Sequence, residues 1–226
     1  MMLVIPDLLD RATTAQLRAA LATAPWQDGR ATAGYIARGQ KRNQQLAPDS
    51  ALAQTLGRQI LDALSQQPLF ISFALPLKTL SPMFNRYHGG GEYGLHIDNA
   101  LRIDPISGER IRTDISTTVF LNDPDDYDGG ELIIQDSYGS QQVKLPAGHA
   151  VVYPGSSLHQ VTPVTRGERL ASFFWSQSMI QDDSLRSTLF ELDQSIQQLA
   201  LRDENLAEVT RLTGVYHNLL RRFGDV

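Results

Sequence analysis

Hydrophobic residues recur every three or four positions near the start of the chain, which is the spacing of an amphipathic helix. Residues 10–23 place Leu17 and Leu21 on one face. A second helix is predicted at residues 49–66, with Asp49 or Ser50 as its candidate N-terminal cap. The apolar face of this second helix consists of Leu52, Leu56, Ile60 and Leu64. We therefore expect two helices that face a core, joined by a stretch at 35–45 that is extended or looping.

The same spacing returns after residue 181 and predicts two more helices. Their apolar faces consist of Leu185, Leu189, Leu192, Ile196 and Leu199 in the first helix, and of Leu206, Val209, Leu212, Tyr216, Leu219 and Phe223 in the second. We expect the two to form a helical hairpin that packs either on the core or on another subunit. The heptad-like face of the first helix makes a homodimer through this hairpin a reasonable expectation.

Between residues 69 and 177 the pattern changes to short β-branched and aromatic runs, separated by Gly, Pro, Asp and Asn. Such runs are typical of an all-β sandwich or barrel. The strands expected are 69–75, 78–88, 94–99, 115–121, 130–135, 141–145, 150–153, 159–164 and 169–176. Loops at 30–46, 89–94 and 102–113 are expected to form the walls of a pocket.

The composition is that of an ordinary globular protein, with 42% hydrophobic and 20% charged residues. The net charge of −5 gives no electrostatic reason to expect nucleic acid as a partner. Positive charge is concentrated only at Arg38, Lys41 and Arg42. We interpret this cluster as a solvated loop, with a contact for an acidic substrate or partner as the alternative.

The chain contains no cysteine, which excludes disulfides, thiolate nucleophiles and sulfur-ligated metals. Any metal must therefore be bound by histidine and carboxylate side chains. The first residues lack the basic segment of a signal peptide, and no apolar run approaches the roughly 18 residues that span a bilayer. We expect a cytoplasmic protein with no membrane partner.

His96 and Asp98 are the candidate metal ligands that the sequence offers first. Residues i and i+2 of a strand point to the same face, so both side chains can reach one ion. This pair alone is weak, because five histidines would produce it by chance about 0.4 times per chain. His159 follows a Pro-Gly turn and could enter from another strand, which completes two histidines and one carboxylate, a set that suits non-haem Fe(II) oxygenases.

Two features near this triad bear on the choice of chemistry. Zinc is the competing metal, but the HExxH spacing of many zinc hydrolases is missing. Arg169 begins an otherwise apolar run ten residues after His159. It is either a rim residue or a buried cation that awaits an anion, and the adjacent metal motif favours the second interpretation, with a bidentate carboxylate as its partner.

These residues, taken together with others along the chain, resemble a known family. The motif consists of Asn85-Arg86-Tyr87-His88, Tyr93, His96-x-Asp98, Asp128-Gly129-Gly130-Glu131-Leu132, Gly148, Pro154, His159 and Arg169. It resembles the prolyl 4-hydroxylase branch of the Fe(II)/2-oxoglutarate-dependent dioxygenase superfamily. The whole chain, including its helical end, resembles the bacterial PKHD-type hydroxylases, which are often described as iron-uptake factors.

The resemblance implies an α+β fold with a mainly β core, built as a double-stranded β-helix or jelly roll. Residues 1–77 would support this core, 78–178 would form it, and 179–226 would be a C-terminal helical extension. One Fe(II) per chain would be bound by His96, Asp98 and His159, and 2-oxoglutarate by Arg169, with Tyr87 as a second polar contact. L-ascorbate would keep the iron reduced.

The expected activity is hydroxylation of a small-molecule or peptide substrate with O₂, releasing succinate and CO₂. Its link to iron uptake follows from the resemblance alone. A prolyl residue, a free amino acid and an iron-chelating metabolite remain open as substrates. Two alternatives also stay open, namely a non-catalytic jelly-roll module that acts as an iron-responsive regulator, and a zinc hydrolase.

Overall fold

The computed structural model describes residues 1–32, 37–104, 106–136, 139–202 and 206–226. Two helices near the start match the predicted ones: α1 spans Arg11–Ala22 and α2 spans Ala51–Ser65. Asp10 caps α1 by accepting a hydrogen bond from the backbone N–H of Thr13, and Ser50 caps α2 in the same way through the N–H of Ala53. Both helices bury the predicted leucines, except that Leu52 is only partly buried.

The strand predicted at 69–75 is wrong, because this segment forms helix α3, Pro68–Ala74. The side chain of Gln67 accepts a hydrogen bond from the backbone N–H of Leu69, and Pro68 fits the first helical turn, where no N–H partner is needed. The aromatic residues that suggested a strand, Phe70 and Phe73, are buried in the core. Tertiary packing has overridden their β propensity.

The strands follow one another in short pieces. They are β1 (Leu3–Ile5), β2 (Gln27–Asp28), β3 (Lys41–Arg42), β4 (Gln44–Gln45), β5 (Pro76–Thr79), β6 (Met83–His88), β7 (Glu92–His96), β8 (Leu101–Ile103), β9 (Arg110–Arg112), β10 (Ile115–Phe120), β11 (Tyr127–Gly129), β12 (Leu132–Asp136), β13 (Gly139–Val143), β14 (Ala150–Pro154), β15 (Leu158–Val161) and β16 (Val164–Ser178). Short 3₁₀ turns occupy Gly29–Thr32, Ala37–Gln40 and Pro124–Asp126.

Three differences from the predicted strands affect the site. The run at 78–88 is divided into β5 and β6 by Leu80, Ser81 and Pro82, and the proline lacks the N–H that a continuous ladder would need. The stretch at 35–45 contains β3 and β4, while its residues 35 and 36 lie outside the described part of the chain. The expected loop at 102–113 is mostly the hairpin of β8 and β9.

Over the described residues the strands form two large antiparallel sheets and the β8–β9 hairpin. The larger sheet has the order β1-β14-β10-β16-β6-β4-β2, with β5 and β11 also paired to β16. The smaller sheet has the order β13-β12-β15-β7-β3. The predicted mainly β core is confirmed.

Alternation along β10 shows how the layers are arranged. Ile115 and Val119 belong to the same buried cluster as the inner faces of α1 and α2, so the helices cover one face of the larger sheet. Ser116 and Thr118 alternate with them and line a cavity whose opposite wall comes from the smaller sheet. The helices thus support a layered β core whose two sheets enclose the cavity.

The C-terminal hairpin is confirmed as α4, Asp183–Ala200, and α5, Leu206–Phe223. Helix α4 buries Leu189 and packs on α3, where the rings of Phe190 and Phe73 meet edge to face at 5.3 Å between centroids. Asp193 of α4 accepts a hydrogen bond from Ser72 at 2.5 Å. No residue that the structure describes in α5 is fully buried.

Candidate metal and co-substrate site

His96, Asp98 and His159 come together although they are far apart in the sequence. His96 ends β7 and lies directly opposite His159 of β15 in the antiparallel ladder, and Asp98 follows two residues after the end of β7. One potential ligand atom from each of the three lies within 4.8 Å of the others. Such a cluster is compact enough for a common metal ion.

Hydrogen bonds fix the orientation of both imidazoles. Nδ1 of His96 lies 2.8 Å from the carbonyl oxygen of Gly94, and Nδ1 of His159 lies 3.0 Å from that of Ser157. A carbonyl can only accept, so in the neutral form of each ring Nδ1 carries the proton and Nε2 keeps a lone pair. This is the tautomer that binds a metal through Nε2 while the second nitrogen is held by the backbone.

The electrostatics of the cluster also suit a cation. Burial lowers the pKa of His96 to about 4, and the nearby His159 lowers it too, so the ring of His96 is neutral near pH 7. Asp98 Oδ2 is buried, lies 3.8 Å from Nε2 of His159, and has no hydrogen-bond partner among the described residues. A buried carboxylate oxygen without a donor is costly, and a bound cation would satisfy it.

Arg169 lies on β16, in the larger sheet, and is 1% exposed. Its Nε and Nη1 have no hydrogen-bond partner within the described chain, and its guanidinium lies over the aromatic faces of Tyr87 and Phe120, at 5.4 and 5.2 Å from their ring centroids. The interpretation of Arg169 as a rim residue is therefore wrong. The guanidinium lines the same cavity as the triad, and it is a buried cation that fits a carboxylate.

Tyr87 pairs directly with Arg169 across the β6–β16 ladder and is also 1% exposed. Burial raises the pKa of Tyr87, while the positive charge of Arg169 opposes that rise, so the phenol stays protonated at neutral pH. A protonated hydroxyl can donate a hydrogen bond. The structure therefore places Tyr87 in the cavity beside Arg169, the other residue that the resemblance assigns to 2-oxoglutarate.

Sequence reasoning did not assign Arg102, Tyr153 or Trp175 to the site, and it considered Lys41 only as an alternative contact for an acidic substrate, yet all four line the cavity. Tyr153 meets His159 edge to face at 5.4 Å. Lys41 is 4% exposed, so its assignment to a solvated loop is wrong. Strands β3 and β4 consist entirely of polar residues, so no alternation of hydrophobic and polar positions could have revealed which side chains face inward.

Comparison with known proteins identifies the family. A model of the 2OG-Fe(II) oxygenase superfamily matches residues 82–177, and a model of the PKHD-type hydroxylase C-terminal domain matches residues 183–225. A PKHD-type hydroxylase of Paraburkholderia phymatum is 55% identical over 226 residues, which is 100% of both chains. The PKHD-type hydroxylase PiuC of Pseudomonas aeruginosa is 54% identical over the same full length.

This chain belongs to the PKHD-type hydroxylases. It is accordingly a 2-oxoglutarate-dependent hydroxylase, and the superfamily implies Fe(II) and 2-oxoglutarate as its cofactor and co-substrate. The resemblance inferred from the motifs is confirmed. No helix among the described residues of this PKHD-type hydroxylase is long and apolar enough to cross a membrane.

Solved structures support the fold of this PKHD-type hydroxylase. HygX from Streptomyces hygroscopicus, with nickel and 2-oxoglutarate bound, superposes with a TM-score of 0.56 at 18% identity, over 79% of this chain and 84% of that one. A Pseudomonas putida prolyl-4-hydroxylase gives a TM-score of 0.51 at 24% identity, over 78% and 92% of the two chains. At such identities the likeness concerns the fold, and it confirms the predicted jelly roll.

Proposed function

We propose that His96, Asp98 and His159 bind one Fe(II) per chain and that Arg169 binds the far carboxylate of 2-oxoglutarate. The observation that carries this proposal is the convergence, on one cavity, of the three ligand side chains and a buried guanidinium with two unpartnered nitrogens. When bound, iron and 2-oxoglutarate together supply the oxidising chemistry, consuming O₂ and releasing succinate and CO₂.

In this proposal, the residues of this chain bind and orient the metal ion and 2-oxoglutarate. The backbone carbonyls of Gly94 and Ser157 hold the two histidines with Nε2 available. Arg169 provides a bidentate partner for a carboxylate in a dry environment, where such a pair is stronger than in water. We assign Tyr87 as the second donor to 2-oxoglutarate. Its position opposite Arg169 in the ladder supports this role.

Anaerobic Fe(II) titration in the presence of 2-oxoglutarate tests this assignment. The wild-type protein should develop a visible charge-transfer band, and Asp98→Ala should not. Asp128→Ala is the matched control, because Asp128 is an exposed carboxylate that pairs with Arg166. Absence of the band in the wild type, together with no succinate formation under O₂, would exclude the proposed ligands.

Several finer points belong to the same proposal. The substrate is a small molecule or a peptide, L-ascorbate keeps the iron reduced, and the protein acts in the cytoplasm in connection with iron uptake. Incubating cell extract with enzyme, Fe(II), 2-oxoglutarate and ¹⁸O₂ and searching by mass spectrometry for one compound that gains labelled oxygen would identify the substrate. An iron-chelating product would support the link to iron uptake, and a product with no affinity for iron would oppose it.

We also propose a homodimer formed through the C-terminal hairpin. Helix α5 leaves Val215 and Phe223 exposed, at 50% and 46%, so it retains apolar surface for a second copy. Sedimentation equilibrium of the wild type and of Val215→Glu tests this. A dimer that the glutamate dissociates is expected, and a wild-type monomer at micromolar concentrations would contradict it.

A further inference from the structure

Two positive side chains other than Arg169 line the cavity. Lys41 lies on β3, with its ammonium 5.0 Å from the ring centroid of Tyr93. Arg102 lies on β8, with its guanidinium 4.1 Å from the ring centroid of Trp175. The two cations repel one another, and both are attracted by Asp98. They therefore form one positive region beside the triad.

Holding these charges at the cavity has a cost. Burial lowers the pKa of Lys41 to about 7, and the charge of Arg102 adds to this effect. Burial likewise lowers the pKa of Arg102, which forms no ion pair with any residue that the structure describes. A partly buried guanidinium without a carboxylate partner is costly unless a ligand supplies one.

The proposed iron and 2-oxoglutarate do not provide that partner. The double positive charge of the ion and the charge of Arg169 are cancelled by Asp98 and by the two carboxylates of 2-oxoglutarate. Asp98, the carboxylate that attracts Arg102, would then be neutralised by the metal, whereas Lys41 would still be attracted by Asp28. The loaded site then keeps the positive charge of Arg102 without a carboxylate partner among the described residues, with Lys41 beside it, and this charge attracts an anion.

Trp175, on whose ring the guanidinium of Arg102 lies, has one hydrogen-bond donor in its side chain. Trp175 is 5% exposed, and Phe173 meets its ring edge to face at 5.6 Å. The indole Nε1 of Trp175 is buried and has no hydrogen-bond partner among the described residues. An indole N–H can only donate, so it needs an acceptor, and a carboxylate held by Arg102 would supply one.

We propose that the substrate bears a carboxylate, which Arg102 and Lys41 bind and which accepts a hydrogen bond from Nε1 of Trp175. This inference rests on the proposed function, because the charge left on Arg102 is that of the site loaded with iron and 2-oxoglutarate. Lys41 and Arg102 are specificity-determining residues for the hydroxylation. They select the substrate by its charge before the reaction begins.

Calorimetric titration of the anaerobic Fe(II)–2-oxoglutarate enzyme with phenylacetate and with phenylacetamide tests the inference. The two probes share size and ring, and they differ in charge. The wild type should bind phenylacetate about tenfold more tightly or better, the contribution of one charge-assisted hydrogen bond. Arg102→Met should reduce this preference to about twofold or less, and Lys41→Met should reduce it in the same direction.

Arg110→Met is the matched control. Arg110 is an exposed arginine on β9, opposite Ile103 in the same hairpin, so it has similar chemistry but lies away from the cavity lining. It should keep the full preference for phenylacetate. Equal binding of the acid and the amide by the wild type would overturn the inference, and so would a preference that Arg102→Met leaves unchanged.

The charge-transfer band, recorded on the same samples, separates this inference from the proposed function. A band in the wild type with equal binding of both probes leaves the proposed function intact and overturns the inference. If the wild type shows no band, the titrations are repeated on the protein and on Arg169→Met. A preference that survives Arg169→Met and disappears in Arg102→Met supports the anion site, whereas a preference that depends on Arg169 overturns it.

Discussion

Gly130 lies so close to Arg169 that a Cβ atom added to the glycine would stand 3.1 Å from Cδ of the arginine. The same atom would be 2.8 Å from Cγ2 of Val164 and 2.9 Å from Cε2 of Tyr127. Gly130 also has a φ of +68°, which side chains other than glycine rarely adopt. The absence of a side chain at this position therefore helps to define where the guanidinium lies.

Replacing this glycine should weaken 2-oxoglutarate binding. In Gly130→Ala the new methyl group must displace Arg169, Val164 or Tyr127, so we expect the Kd for 2-oxoglutarate to rise about tenfold or more. Titration of the anaerobic Fe(II) enzyme, followed by the charge-transfer band, measures this Kd. Fe(II) affinity in the absence of 2-oxoglutarate should change little, because none of the crowded neighbours is a proposed metal ligand.

Gly108→Ala separates crowding from backbone strain. Gly108 has a φ of +72°, close to that of Gly130, but a Cβ atom there would meet nothing within 4 Å. Both variants should lose about 1–2 kcal/mol of stability from the left-handed conformation, and only Gly130→Ala should lose co-substrate affinity. Equal Kd values in the two variants would show that the position of Arg169 does not depend on Gly130.

Arg169 should reduce the stability of the unloaded protein while it increases affinity for the co-substrate. Its buried guanidinium lacks partners for two nitrogens, so Arg169→Met should leave the free energy of unfolding unchanged or raise it by about 1–4 kcal/mol. The same change should weaken 2-oxoglutarate binding by about a hundredfold or more, since a buried charge pair loses about 3–5 kcal/mol when one partner is removed. Urea unfolding of the metal-free protein and titration of the Fe(II) enzyme measure the two effects.

Arg166→Met provides the comparison on the same strand. Arg166 is exposed and pairs with Asp128, so its loss should change both the stability and the affinity for 2-oxoglutarate only slightly. A metal-free Arg169→Met protein that is several kcal/mol less stable than the wild type would mean that the guanidinium has stabilising contacts beyond those described.

The residues with the most constrained chemistry were the easiest to predict. His96, Asp98, His159 and Arg169 could be named because metal and carboxylate binding demand particular side chains at particular spacings. Helix α3 could not be predicted in this way, because its signals are only Gln67 and Pro68 at the first turn, and its β-branched and aromatic residues favour a strand when tertiary packing is ignored.

The positions of Lys41 and Arg102 in the cavity lining were harder to predict, because they depend on pairing between strands. Lys41 is buried because β3 pairs with β7, and Arg102 reaches the cavity because β8 and β9 form a hairpin. Neither pairing leaves a hydrophobic pattern, since β3 is polar and β8 has only three residues. Of the two residues that we propose to select the substrate, the sequence therefore suggested only Lys41, as the alternative to a solvated loop, and gave no sign of Arg102.

Asp104 holds the turn of the β8–β9 hairpin and should make its stability depend on pH. Burial would raise the pKa of this carboxyl, but hydrogen bonds from Ser107, Ser81 and Ile106 outweigh it and hold the pKa below its ordinary value of 3.8. A depressed folded pKa means that the stabilisation is present above the unfolded pKa and is lost as the pH falls through the folded one. Asp104→Asn should therefore cost about 1.5–3 kcal/mol at pH 7.

The difference between Asp104→Asn and the wild type should shrink as the pH falls below about 4, when measured by urea unfolding between pH 7 and pH 2.5. Asp62→Asn is the control, because Asp62 is exposed and its carboxylate accepts no hydrogen bond from any described residue. It should match the wild type at every pH. A cost of Asp104→Asn that does not vary with pH would show that the carboxylate's charge has no part in holding the turn.

The contact between Phe190 and Phe73 should decide whether the C-terminal hairpin unfolds with the core. We propose residues 179–226 as an extension of a core at 78–178, supported by residues 1–77, yet Phe190 is buried against α3 and shares its cluster with Phe174 of β16. Phe190→Ala should therefore lower the free energy of unfolding by about 3–5 kcal/mol. Leu206→Ala, at a position that is 71% exposed, should change it by no more than about 0.5 kcal/mol.

In both variants, far-ultraviolet circular dichroism and tryptophan fluorescence should report one common transition, because Phe190 joins the extension to the same core that contains β16. Two separated transitions would show instead that the hairpin folds independently of the catalytic core.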